Sequence, residues 1–239
     1  MLVVGLTGGI ATGKSTVSNL FKSYSTPIID ADVLARSAVA PGTHALSQIV
    51  SAFGPSVLLP DGTLDRKKLG SIVFNDETKR KTLNGIVHPA VTRSILWGVL
   101  KCWIRGEKMV VVDVPLLIEG GLWRWMAKVV VVYCSAEIQL QRLMARDGSS
   151  REDALARLTS QLPISEKVAY ADIVIENSGS LQDLEEEVQG CVEKLRRAAG
   201  WSWRLSWLVP PYGLLTALWT LGWKSWTRSG RRRTGEKRR

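Results

Sequence analysis

The sequence predicts an α/β fold in which helices flank a parallel five-stranded sheet. Short apolar segments alternate along the chain with segments of helical spacing, a pattern typical of strand–helix–strand units. The strand segments contain short apolar, β-rich runs, as in buried parallel strands, although the run in the fifth segment is weaker. A glycine-rich stretch joins the first strand to the first helix.

The strands are predicted from apolar runs at residues 2–6, 26–30, 107–115, 127–134 and 172–177. The first helix is predicted from the apolar spacing of Val17, Leu20, Phe21 and Tyr24. Further helices are predicted over residues 135–146, 151–161 and 180–198. The chain of 239 residues therefore corresponds to one domain with an appendage.

The positive charge of the chain is concentrated near its end. The net charge is +10, but residues 200–239 contribute +8 of it, from nine Lys and Arg against the single acid Glu236. The nearly neutral remainder argues against nucleic-acid binding. Three widely spaced cysteines without a CxxC pair argue against a disulfide framework or a zinc site. The N-terminal residues have neither the basic region nor the apolar core of a signal peptide.

Residues 8–15, GGIATGKS, match the phosphate-binding pattern G-x-x-x-x-G-K-[ST]. Glycines allow successive backbone N–H groups to point at phosphate oxygens, and the following helix adds its positive N-terminus. Lys14 is predicted to contact the β- and γ-phosphates and assist catalysis, and Ser15 to ligate Mg²⁺. We therefore predict ATP binding by Gly8, Gly9, Ile10, Ala11, Thr12, Gly13, Lys14, Ser15 and Thr16.

Carboxylates follow two of the predicted strands, at the edge of the sheet where ligands bind in open α/β folds. Asp30 and Asp32 end the second strand, and Asp32 is suited to accept a proton from an acceptor hydroxyl. Arg36, one turn later, is suited to bind a substrate phosphate. Asp113 ends the third strand, where a magnesium-binding carboxylate is expected. The alternative is that these aspartates are helix caps and that the arginine is solvated.

Residues 139–161 carry arginines that predict a mobile lid. Arg142 and Arg146 are four residues apart and share a helix face, and Arg157 follows the polar loop after them. Such a lid brings positive charge to the transferring phosphoryl group, although a solvated helix face is the alternative for any single arginine. Residues 60–105 are mostly helical in pattern, with turn signals at 60–62 and 88–89, and predict a substrate-binding subdomain.

The ordered set of motifs resembles dephospho-CoA kinases, of the eukaryotic type with a C-terminal extension. The resemblance covers residues 2–198 and adds to the phosphate loop five further segments: IIDADVLAR, NGIVHP, VVVDVPLLIEGGL, the arginine-rich segment 139–161 and ADIVIENSG. Many kinases share the phosphate loop, but the order and spacing of the whole set are more specific. Ala11 stands where bacterial members commonly have glycine.

The resemblance implies a P-loop kinase fold with a helical CoA-binding subdomain and a lid. It implies Mg²⁺-dependent transfer of the γ-phosphate of ATP to the ribose 3′-hydroxyl of dephospho-CoA. Asp32 would be the base, Arg142 and Arg146 would assist catalysis, and Arg157 would contact ATP. The resemblance places His88 and Pro89 in the CoA-side helical part, and together with Asp30, Arg36 and Glu119 they are the predicted substrate-binding residues. A lone histidine such as His88 is more often structural, and we do not expect it to be the base.

The segment from Leu205 to Trp223 is without charge, and tryptophans lie near both of its ends. A helix of this length spans roughly 28 Å, close to the thickness of a bilayer core. Pro210 and Pro211 would break or kink that helix, and if it breaks there, the shorter segment that remains could instead lie in the membrane interface. A tail without function is the third alternative. We expect a cytosol-facing kinase whose residues 201–227 anchor it to an intracellular membrane, such as the mitochondrial outer membrane.

Two other functions compete with this interpretation. The chain is alternatively a P-loop kinase of nucleosides or nucleotides, or a membrane-bound scaffold that binds nucleotide without much chemistry. The presence of Lys14, Ser15, Asp32 and Asp113 argues against the scaffold. The sequence predicts a kinase domain over residues 1–199 and a separate tail over 200–239, and makes no prediction of the oligomeric state.

Overall fold

The computed structural model describes residues 1–74 and 76–200, which divide into two compact units. The first unit contains Met1–Ile28 and the chain from Cys102 onward, and the second is Ile29–Lys101. The predicted helical subdomain, residues 60–105, therefore corresponds to the later part of a unit that begins thirty residues earlier. The second strand ends inside this unit and leads directly into its first helix.

The sheet has five strands, as predicted. They are β1 (Leu2–Gly8), β2 (Ile28–Asp30), β3 (Met109–Asp113), β4 (Lys128–Tyr133) and β5 (Ile173–Glu176). Their order across the sheet is β2-β3-β1-β4-β5, with β1 at the centre. β1 pairs in parallel with β3 and β4, and β4 pairs in parallel with β5. The carboxyl ends of these strands therefore meet at one edge.

The described part of the first unit contains the α-helices α1 (Lys14–Ser23), α6 (Ala136–Asp147), α7 (Arg151–Thr159), α8 (Ile164–Val168) and α9 (Leu181–Ala199). Their starts follow from local sequence. The Ser135 and Ser150 hydroxyls accept hydrogen bonds from the first turns of α6 and α7. Ser180 and Asp183 form a capping box at the start of α9.

The core of the first unit lies between the sheet and the helices α1 and α9. Phe21 of α1 and Leu195 of α9 are fully buried there, together with Val4, Leu6, Val111, Val130 and Val132 of the strands. All five residues of β3 are buried. This burial explains why the strands are apolar throughout, as a sheet covered by helices requires.

The second unit is helical and has a core of its own. Its helices are α2 (Ala31–Ala38), α3 (His44–Phe53), α4 (Arg66–Phe74) and α5 (Glu77–Ile104), the last of which ends just beyond the unit. Val39, Ile49, Val57 and Leu69 are buried at the centre of this core. The turn predicted at residues 60–62 is present, with the N–H of Gly62 donating to the carbonyl of Leu59.

The turn predicted at residues 88–89 is wrong, because α5 continues through Pro89. Proline lacks an N–H group and normally breaks a helix, at a cost of about 3 kcal/mol. Here Val87 before the proline and Ala90 after it both pack against the core of the second unit. Tertiary packing on both sides of Pro89 therefore outweighs the local preference for a turn.

No helix in the described part of the chain is long and apolar enough to cross a membrane. The predicted membrane-binding segment, residues 201–227, lies outside the described residues.

Candidate active site

The phosphate-binding loop connects β1 to α1 over residues 9–13. Gly13 precedes α1 with a left-handed φ of 84°, and Ala11 is also left-handed with a φ of 60°. Inside the loop, the Thr12 backbone N–H and hydroxyl both donate to the carbonyl of Gly9, at 3.3 and 2.9 Å. The loop is thus a compact turn whose conformation favours glycine at position 13.

Two buried amide side chains support this loop from neighbouring elements. Asn177, directly after β5, donates from Nδ2 to the carbonyl of Thr12 at 2.7 Å. A Cβ atom on Gly13 would collide with the same Nδ2. Gln139 of α6 donates from Nε2 to the carbonyl of Cys134 at 3.2 Å, and its Oε1 would lie 2.7 Å from a Cβ on Gly9. The glycines at positions 9 and 13 therefore allow close packing as well as a tight turn.

Lys14 and Asp113 form an ion pair at the carboxyl edge of the sheet. Asp113 ends β3 and is only 4% exposed, and its Cα pairs with that of Leu6 in the neighbouring β1. Such a buried carboxylate requires a partner, and the ammonium group of Lys14 supplies it. The sheet register thus brings together the two residues predicted to act on phosphate and on metal.

The donor set at this edge suits magnesium. Ser15 is exposed in the first turn of α1, and Asp113 offers a carboxylate at the strand end. Oxygen ligands favour Mg²⁺, which is commonly bound by one or two protein groups together with substrate phosphates. Among residues 1–74 and 76–200, no cluster of three or more His, Cys, Asp or Glu side chains could hold a metal ion by itself.

The predicted lid corresponds to α6 and α7. Arg146 on α6 and Arg157 on α7 both bind the carboxylate of Asp147, with closest distances of 2.7 Å each. Hydrogen bonding from Arg146 is the main reason that the pKa of Asp147 is lowered, and Arg157 contributes. Asp147 therefore links two of the predicted lid arginines.

The third lid arginine, Arg142, is half-buried on α6 near Cys134. Burial raises the pKa of the Cys134 thiol, and the positive charge of Arg142 partly opposes this rise. Glu119, predicted to bind substrate, forms an ion pair with Lys167 at 2.8 Å. That role of Glu119 stays a prediction.

The predicted acceptor-side residues lie in the second unit. Asp30 caps α2, because its Oδ1 accepts hydrogen bonds from the N–H groups of Asp32 and Val33 at 2.9 and 3.1 Å. This was the alternative role considered for the aspartates, and a substrate contact by Asp30 stays a prediction. Asp32 and Arg36 are exposed on α2, one turn apart.

A cavity of about 280 Å³ lies within the second unit. His88 lines it together with two further polar residues, Arg66 and Asn84. Pro89 is exposed beside His88 on α5. The remaining walls are mostly apolar and are formed by Ala35, Val39, Ile49, Leu64, Leu69, Gly70, Leu83 and Val87.

Several residues of these sites were not predicted from the sequence. Asn177 carried a usable signal, because it follows a predicted strand at the same edge as Asp113. Gln139 lies on a predicted helix and Asp147 directly after it, and the contacts of both depend on neighbouring elements, so their sequence positions alone did not distinguish them. The same holds for Arg66 at the cavity.

A family model for dephospho-CoA kinase matches residues 2–183. The chain belongs to the dephospho-CoA kinase family. A dephospho-CoA kinase from Arabidopsis thaliana is 48% identical over 201 residues, which cover 84% of this chain and 87% of the relative. One from Geobacillus kaustophilus is 52% identical over 182 residues, covering 76% of this chain and 90% of the relative.

Solved structures agree with this dephospho-CoA kinase assignment. The dephospho-CoA kinase from Campylobacter jejuni has a TM-score of 0.66 and 33% identity, and the match covers 82% of this chain and 98% of that one. The Thermus thermophilus protein TT1252 has a TM-score of 0.70 and 35% identity, with coverages of 81% and 97%. The family and the α/β fold expected from the motifs are thus confirmed.

The geometry of the loop predicts the effect of the substitution Gly13→Ala. A left-handed φ costs about 1–2 kcal/mol for a residue with a Cβ, and here the Cβ would also displace the Asn177 amide. We expect kcat/KM for ATP to fall by about tenfold to a hundredfold in steady-state assays.

Gly190→Ala is the matched control for this substitution. Gly190 lies inside α9, and a Cβ there meets no atom within 4 Å. We expect wild-type kinetics and a free energy of unfolding raised by up to about 1 kcal/mol. Wild-type kinetics for Gly13→Ala would contradict the close packing described for the loop.

Proposed function

We propose that this chain transfers the γ-phosphoryl group of ATP to the ribose 3′-hydroxyl of dephospho-CoA, giving CoA and ADP. The observation that carries the proposal is the phosphate loop, with Lys14 bound to Asp113, in a chain that matches the dephospho-CoA kinase family over residues 2–183. This reaction is the last step of CoA synthesis.

In this proposal the loop residues 8–16 bind the phosphates of ATP. The backbone N–H groups of the loop and the N-terminus of α1 supply partial positive charge, and Lys14 supplies a full charge. Lys14 exchanges its contact with Asp113 for one with the β- and γ-phosphates when ATP binds. Ser15 and Asp113 are then the residues that would hold Mg²⁺, which neutralises phosphate charge when bound.

Asp32 is the proposed base on the acceptor side. Its carboxylate is exposed and accepts the proton of the 3′-hydroxyl as the ribose oxygen bonds to the γ-phosphorus. The bond between the γ-phosphorus and the bridging oxygen breaks, and ADP leaves. Arg36, one turn from Asp32, binds a substrate phosphate. His88 and the cavity beside it take another part of the acceptor, because an apolar cavity with a few polar groups suits an extended organic ligand.

The lid arginines stabilise the charge that is transferred. Arg146 and Arg157 both bind the carboxylate of Asp147, and this contact holds them in position before ATP binds. Arg142, on the same face of α6, is the third proposed contact. Fixed positive groups at the phosphates act through electrostatic stabilisation, which is the main contribution of the protein to phosphoryl transfer.

We further propose that residues 201–227 attach the enzyme to an intracellular membrane, with the kinase domain facing the cytosol. The support comes from the sequence alone: an uncharged segment of 19 residues, tryptophans near both ends and basic residues after it. The mitochondrial outer membrane is one candidate.

The acceptor is tested by following ADP release from the full chain with ATP and Mg²⁺. We expect turnover with dephospho-CoA and background rates with a panel of nucleosides and nucleotides. Lys14→Ala should remove the activity. Preference for a nucleoside would support the alternative small-molecule kinase, and nucleotide binding without turnover of any acceptor would support the scaffold.

Substitution of Asp32 by asparagine tests the proposed base. Loss of a positioned base lowers kcat by about 10²–10⁴-fold, and we expect the KM for ATP to change little because Asp32 acts on the acceptor. Glu77→Gln is the control, since Glu77 is an exposed carboxylate of the same unit whose pair with Lys81 is a surface pair. An unchanged kcat for Asp32→Asn would refute this role.

The membrane proposal is tested by flotation with vesicles that contain anionic lipids. We expect the full chain to float with the vesicles and a chain ending at residue 200 to stay in solution. Extraction at alkaline pH separates the two modes, because a spanning segment resists it and an interfacial helix is released. Equal flotation of both chains would refute the proposal.

A further inference from the structure

Lys167 is a fully buried lysine on the short helix α8. Its side chain is 0% exposed, and within the described residues it is the one lysine or arginine in the buried class. Burial of an ammonium group costs several kcal/mol unless the charge is paired and its hydrogens are bound. The partners of Lys167 therefore indicate what its burial achieves.

Three oxygen atoms surround the ammonium group, one for each of its hydrogens. The Glu119 carboxylate lies 2.8 Å from Nζ. The carbonyl oxygens of Gly8 and Pro115 lie at 3.4 and 3.5 Å. The hydroxyl of Thr7 also donates to the Pro115 carbonyl, at 2.9 Å. Lys167 thus completes a polar network beneath the carboxyl edge of the sheet.

The two carbonyl groups belong to the segments that carry the site. Gly8 is the last residue of β1 and directly precedes the phosphate-binding loop. Pro115 comes two residues after Asp113, the partner of Lys14. One ammonium group therefore fixes the entry of the loop relative to the segment that follows the metal-binding strand end.

Glu119 extends the network to the end of the lid. Its carboxylate also accepts a hydrogen bond from the N–H of Leu162 at 3.3 Å. Leu162 lies between α7, the second lid helix, and α8, which carries Lys167. The Lys167–Glu119 pair consequently joins the phosphate loop, the segment after β3 and the chain that returns from the lid.

We propose that Lys167 is a positioning residue for phosphoryl transfer and that Glu119 acts through it. The pair holds the phosphate loop and Asp113 in the arrangement that ATP requires, and it anchors the returning end of the lid. This inference deepens the proposed function, because it concerns the same ATP site. Displacement of reacting groups by about 1 Å can cost about a hundredfold in rate, so a structural link of this kind affects catalysis directly.

The test compares Lys167→Met and Glu119→Gln with Lys128→Met. Methionine keeps most of the lysine volume without the charge, and glutamine keeps the shape of glutamate. Lys128 is the matched control, because it also forms an ion pair in the same unit, with Asp172. It is the first residue of β4 and therefore lies at the end of the strand away from the carboxyl edge, and its side chain is 39% exposed. Each variant is assayed at a temperature at which its melting curve shows it to be folded.

We expect Lys167→Met to lower kcat by about tenfold or more and to raise the KM for ATP, with a KM for dephospho-CoA close to that of the wild type. Hydrogen exchange should become faster for the backbone amides of residues 8–16. Lys128→Met should leave all of these unchanged. A lower melting temperature with wild-type kcat and wild-type exchange in the loop would show that Lys167 only stabilises the fold, and would overturn the proposal.

Glu119→Gln covers the case in which Lys167→Met does not fold. It retains the lysine and weakens the ion pair, and we expect a smaller loss of kcat, about threefold to tenfold, with faster exchange in residues 8–16. Wild-type values for both would overturn the proposal. Hydrogen exchange needs no acceptor, so it tests Lys167 even if dephospho-CoA proves not to be the substrate.

Discussion

The parallel pairing of β1 with β3 is the constraint on which the ATP site depends. In this register Leu6 lies opposite Asp113, so the carboxylate that ends β3 is beside the start of the phosphate loop. Lys14, in the first turn of the following helix, then reaches it. A slip of one residue would turn the Asp113 side chain to the other face of the sheet, where it could not meet Lys14.

Three buried polar side chains of the first unit make hydrogen bonds around the phosphate loop. Asn177, Gln139 and Lys167 come from three different elements, and each donates to a backbone carbonyl at or near the loop. Buried polar side chains are costly unless they are hydrogen-bonded, so their placement indicates where the fold requires rigidity. A phosphate-binding loop benefits from that rigidity, since its N–H groups must already point at the ligand.

The division into two units matches the division of roles in the proposed reaction. The first unit contains the phosphate loop, Asp113 and the arginines of α6 and α7, which are the groups proposed to act on ATP. The second contains Asp32, Arg36 and the cavity beside His88, which concern the proposed acceptor. The helical unit has an apolar core of its own, so its sequence can adapt to the acceptor while the sheet retains the nucleotide chemistry.

The sequence by itself determined the five strands, the phosphate loop, the helices α6 and α7, and the family. These features depend on local patterns: apolar runs, helical spacing, and glycine, lysine and serine at fixed offsets. Only the tertiary structure decided the course of α5 through Pro89, the capping role of Asp30, and the partners of Glu119 and Lys167. The contact between Lys167 and Gly8 joins residues 159 positions apart, and that between Asn177 and Thr12 joins residues 165 apart. Local periodicity carries no information about such contacts, because they arise only when distant elements pack together and bury their polar groups.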